Sequence, residues 1–160
     1  MDLARLIALL KKNEEALAAL YREGARLFPT EAEVFLKLAQ EEEGHATLFA
    51  NIQDDLAAHP ERWRAGPGRV TPDTLEQLQA RIDHLLDEVR QGKAAPRYLL
   101  TSLASLEQGL AERSCDRLLV TDEPRLADAL RHIAQGFVDH FKRLQQLEAR
   151  LFPPTQPSLF

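Results

Sequence analysis

Apolar side chains recur every three or four residues over four long stretches of this chain, a period that only an α-helix can bury on one face. The first stretch, from about Asp2 to Phe28, aligns Leu3, Leu6, Ile7, Leu10, Leu17 and Phe28. Pro29 ends it. Thr30 reads as the N-cap of the second helix, with Glu33 three residues on to close a capping box. That helix carries Phe35, Leu38, Phe49, Ile52 and Leu56 and runs to about His59. The third runs from about Arg97 to Val120 on Leu99, Leu103, Leu106 and Leu110. The fourth runs from about Glu123 to Leu151 on Leu126, Leu130, Ile133, Phe137, Leu144, Leu147 and Leu151.

The connections set the topology. The first and second helices, and the third and fourth, are joined by very short links, so each pair must form an antiparallel hairpin. Between the hairpins, from about residue 60 to 95, lies a crossover. It opens on the Pro- and Gly-rich segment PERWRAGPGRVTPD, a loop by composition. It then carries a shorter helix, about Asp73 to Gln91, on Leu75, Leu78, Ile82, Leu85 and Val89, before Gly92 and Pro96 break the pattern. The expectation is one all-α domain over residues 1–152 with an extended Pro-rich tail at 153–160. The chain also repeats itself: LAQEEEGH (Leu38 to His45) aligns without a gap on IAQGFVDH (Ile133 to His140), as a duplicated hairpin would.

Composition narrows the function. The 160 residues carry a net charge of -5 with no basic stripe, which argues against nucleic acid as a partner. No apolar run approaches the ~20 residues that span a bilayer. The single cysteine, Cys115, leaves no intrachain disulfide, points to a reducing cytoplasm, and reads as a small buried hydrophobe.

The informative residues are charged groups inside the apolar stripes. Glu14 falls within the first, Glu42 and His45 within the second, Glu107 within the third and His140 within the fourth. A buried carboxylate without a partner costs several kcal/mol, and grouping like charges makes it worse. Three carboxylates and two imidazoles at similar depth call for a neutralising cation. Glu-x-x-His, as in Glu42 and His45, places both donors on one helix face. Tyr21, seven residues after Glu14, is placed to donate to that carboxylate.

Glu14 with Tyr21, the run Glu42-Glu43-Gly44-His45, Glu107 and His140 together resemble a rubrerythrin-type member of the ferritin-like superfamily. The likeness covers nearly the whole chain apart from the tail. It implies a ferritin-like four-helix bundle of two antiparallel hairpins with a long helical crossover. It also implies a two-iron site in which Glu14 and Glu107 are terminal ligands, Glu42 bridges, and His45 and His140 each cap one metal. Other divalent metals suit the same donors. One position departs from the pattern. The second Glu-x-x-His requires Glu at 137, where this chain has Phe137. Three carboxylates leave two divalent ions with an excess of about +1. Glu41, one turn before His45, is the nearest substitute on the second helix.

Two functions follow from that departure. With both ions bound, the resemblance implies an oxidase or peroxidase acting on dioxygen, peroxide or ferrous ion and fed by an external electron donor. The rubredoxin-like module of the family, with its paired CxxC motifs, has no counterpart here. With Phe137 closing the second half-site, the chain holds one ion or none and serves as a helical scaffold or interaction protein. Long helix faces point to a homodimer in either case.

Overall fold

The computed structural model describes residues 2–68, 70–113 and 115–153. The side chain of Cys115 and the tail at 154–160, for which burial and an extended path are expected, lie outside the described residues. The helices are α1 (Leu3–Leu27), α2 (Ala32–Ala58), α3 (Pro72–Arg90), α4 (Pro96–Arg113) and α5 (Pro124–Leu151). Two three-residue strands, β1 (Trp63–Ala65) and β2 (Leu119–Thr121), pair antiparallel. The chain is all-α in character, and among the described residues no helix is long and apolar enough to cross a membrane.

Local chemistry starts most of these helices. The Asp2 carboxylate accepts the Arg5 N–H at 3.0 Å, and the Thr71 side chain accepts the Thr74 N–H at 3.3 Å. Pro72 and Pro124 occupy first-turn positions, where the missing N–H costs nothing. The start of α2 differs from expectation. Pro29–Glu31 forms a 3-10 turn, and α2 begins at Ala32 with no side-chain cap, so Thr30 closes no capping box. Pro29 fixes a helical φ at once, and the chain turns tightly from Phe28 into α2.

α4 stops at Arg113, short of the expected Val120. Beyond Leu110 the sequence offers only Ser114 and Arg117 in phase with the apolar stripe, which therefore runs out. A 3-10 turn at Cys115–Arg117 leads into β2, whose Leu119 is buried opposite Ala65. The link between α4 and α5 is thus longer than expected, and part of the crossover expected as loop is strand. Trp63 on β1 is buried, and its indole N–H donates to Asp55 at 2.8 Å, tying the crossover to the end of α2.

Ion pairs and packing fix the helix directions. Gly24 meets the Phe35 ring and Glu14 meets His45, so α1 and α2 run antiparallel. The absence of a side chain at Gly24 leaves room for that ring. Arg150 pairs with Glu31 and Arg143 with Glu41, so α5 runs antiparallel to α2. Thr101 bonds Glu148 while Glu107 faces His140, so α4 and α5 are antiparallel too. Arg5 reaches Glu76 and Glu23 reaches Arg90, so α3 runs parallel to α1 and returns the chain to the end from which α4 starts. Leu6, Leu10, Leu17, Leu38, Phe49, Leu103, Ile133, Phe137 and Leu144 are among the buried residues of one continuous core.

Candidate metal centre

Four helices each bring polar groups to one level of that core. Glu14 on α1 lies between Leu10 and Leu17. Glu42 and His45 on α2 lie between Leu38 and Phe49. Glu107 on α4 lies between Leu103 and Leu110, and His140 on α5 between Phe137 and Leu144. Helical spacing forces each inward, because turning it outward would expose the leucines a turn away. Glu14, Glu42 and Glu107 have no exposed surface, and His45 and His140 retain only 3% and 1%.

The five side chains meet. His45 Nδ1 lies 2.9 Å from Glu42 Oε2 and 3.2 Å from Glu14 Oε2. His140 Nδ1 lies 2.8 Å from Glu42 Oε1 and 3.4 Å from Glu107 Oε1. The two oxygens of Glu42 are therefore divided between the two imidazoles, which stack with centroids 5.6 Å apart and planes inclined by 24°. Glu14, Glu42 and His45 each offer a donor atom, all within 4.8 Å of one another, and so do Glu42, Glu107 and His140. Both triads can hold a metal ion, and Glu42 belongs to each. Carboxylate oxygen with imidazole nitrogen suits iron, manganese, cobalt or zinc. Glu107 Oε2 is buried without a hydrogen-bond partner among the described residues, an acceptor that a cation would satisfy.

Burial and proximity perturb the protonation of these groups. Burial pushes Glu42 up, but hydrogen bonds from His140 and His45 outweigh it and hold Glu42 well below the usual carboxylate range. Burial and the charge on Glu42 push Glu107 up to about 8, against the hydrogen bonds from His140 and Tyr21. Burial alone would lower His140, but its bonds to Glu107 and Glu42 raise it to about 11. Metal-free at neutral pH, the centre thus stores protons on Glu107 and His140 and keeps Glu42 ionised.

The surroundings correct two sequence expectations. Tyr21 donates its hydroxyl proton to Glu107 across the bundle, where Glu14 on its own helix was the expected acceptor. Burial, then the charges of Glu107 and Glu42, raise Tyr21 well above the usual phenol value, so it stays a donor. Glu41 does not replace the missing carboxylate. Its Oε2 lies 2.8 Å from His140 Nε2, the outer ring nitrogen, and Arg143 grips both of its oxygens at 3.1 and 2.7 Å. Glu41 thus orients the imidazole: Nε2–H donates to the carboxylate, and Nδ1 faces the triad, where it must lose its proton before it can ligate an ion. Arg143, which sequence reasoning passed over, stands three residues after His140 on the same face.

Phe137 is buried beside the centre, its ring 6.1 Å from that of His45 and inclined by 69°. Gly136 packs so close to His45 that a Cβ there would strike the ring. Its signal was a glycine in mid-helix, which costs about 1 kcal/mol relative to alanine and calls for a packing reason. His132, to which the sequence assigned no role, meets His45 edge-on at 5.8 Å. Glu43 is exposed and pairs with Arg22. Comparison of the chain with protein-family models, with characterised proteins and with solved structures returns no match.

Proposed function

We propose that this chain binds two divalent ions, with iron as the metal, in the manner of a rubrerythrin-type member of the ferritin-like superfamily. The observation that carries the reading is Glu42. One buried carboxylate presents one oxygen to the triad with Glu14 and His45 and the other to the triad with Glu107 and His140. A bridging ligand needs that division, and an ordinary core ion pair does not. The helix directions agree with a ferritin-like bundle, since each hairpin contributes one Glu from its first helix and an imidazole from its second.

Bound ferrous ions would supply the electrons that reduce the O–O bond of dioxygen or peroxide, replenished by an external donor. The residues of the chain prepare that chemistry. Glu42 would bridge, Glu14 and Glu107 would hold one ion each, and His45 and His140 would cap them. Tyr21 holds a proton against Glu107. Glu41 fixes the ring of His140, and Phe137 keeps water from one side of His45. A homodimer built on the long helix faces belongs to the same proposal.

A second reading, of a scaffold bundle with one ion or none, draws on Phe137 and on the polar contacts themselves, since Glu14 and His45 already face each other at 3.2 Å. Elemental analysis of the full chain from iron-supplemented cells separates the two. Near two ions per chain, with a melting temperature that falls on adding chelator, is the expected result. No bound metal and a melting temperature indifferent to chelator would overturn the two-ion reading and favour the scaffold.

A further inference from the structure

Glu14, Glu42 and Glu107 have no exposed surface, so an ion must reach them past another group. A cavity of about 350 Å³ between α2 and α5 comes nearest. Its lining includes His45 and His140, together with Glu41, His132 and Asp139. The groove between α3 and α4 and the depression beside β2 touch none of the five candidate ligands. Two glycines border the opening. Gly136 lets α5 approach the His45 ring, and a Cβ at Gly44 would meet nothing within 4 Å.

Glu41 and Asp139 supply the carboxylates of the lining, and Arg143 and His140 both engage Glu41. Glu41 stands between solvent and centre. Its side chain keeps 29% of its exposure, while the ring it touches, His140, keeps 1%. Its Oε2 is shared by Arg143 and His140 Nε2. Glu41 is the more exposed partner of its pair with His140, and it shares the cavity with the ligands His45 and His140.

Resting on the two-ion reading above, we propose that the α2–α5 cavity is the port through which divalent cations load the centre, with Glu41 as the carboxylate that receives them. Gly44 is then small to keep the port open.

Stopped-flow uptake of cobalt(II) by the metal-free full chain, followed by its visible absorption, tests this. Gly44→Leu adds bulk at the opening, where a Cβ meets nothing within 4 Å, and Glu41→Gln removes the receiving charge. Each is expected to slow loading by about tenfold or more, since charge in a port and obstruction of it act on association rates. Gly44→Leu should reach the wild-type stoichiometry and final spectrum. Loading of Gly44→Leu and Glu41→Gln at the wild-type rate, with wild-type stoichiometry, would overturn the port and leave the two-ion reading standing. Wild-type chain that takes up no cobalt would overturn both. Should Gly44→Leu fail to fold by circular dichroism, the rate of Glu41→Gln decides.

Discussion

Adding a divalent ion to the metal-free protein near pH 7 should expel close to two protons. Glu107, pushed up to about 8, keeps about nine-tenths of its proton at that pH, and His140, raised to about 11, keeps all of its own. Both must lose it to become ligands, because a cation needs the carboxylate oxygen and the Nδ1 lone pair. Near pH 9 Glu107 is already largely ionised, so the count should fall to about one. The apparent affinity should rise with pH by about tenfold per unit for each proton displaced, hence steeply below pH 8 and less so above. Calorimetric titration with cobalt(II) in buffers of different ionisation enthalpy gives the count directly as the slope of observed heat against buffer heat. A slope near zero at pH 7, or the same slope at pH 7 and pH 9, would refute the reasoning. It would mean that the buried protons are elsewhere or that the ion does not displace them.

The metal-free protein should lose stability as pH rises from about 6.5 towards 9. His140 is raised in the folded state, so its stabilisation is complete below the ordinary imidazole value and drains away towards its folded pKa of about 11, and Glu107 acts in the same sense up to about 8. Thermal melts at constant ionic strength check this, and a flat profile would count against it. Glu42→Gln should abolish binding of both ions, whereas Glu14→Gln should spare the one held by Glu107 and His140, because only Glu42 belongs to both triads. Metal stoichiometry of the two variants decides it. Phe137→Glu should cost the metal-free protein about 3–5 kcal/mol, the range for removing a buried aromatic. It should then gain more from added metal than wild type does, and paired melts with and without manganese read both effects.

The helices and the five candidate ligands were legible in the sequence for one reason. The helical period is local, so a Glu or His in phase with leucines on both sides must face the core wherever the helix packs. Interactions between elements carry no such mark. β1 and β2 are three residues each, too short for an alternating pattern, and their pairing of Trp63 with Thr121 spans more than a third of the chain. Tyr21 was in phase with Glu14 on its own helix, but its hydroxyl reaches past that position to α4 and Glu107. Glu41 lies just off the inward stripe, where a carboxylate usually meets only water. Its role came from Arg143 and His140 on a helix about a hundred residues away. The end of α4 at Arg113 could have been read from Ser114 and Arg117, which break the stripe.

The central claim is that Glu42 joins two ion sites. Anomalous diffraction from crystals soaked in ferrous or manganous ion tests it most directly. Two peaks are expected, one among Glu14, Glu42 and His45 and the other among Glu42, Glu107 and His140, about 3.5–4 Å apart as in two-metal centres. A single peak on either triad, or none with the five side chains still bonded to one another, would contradict it.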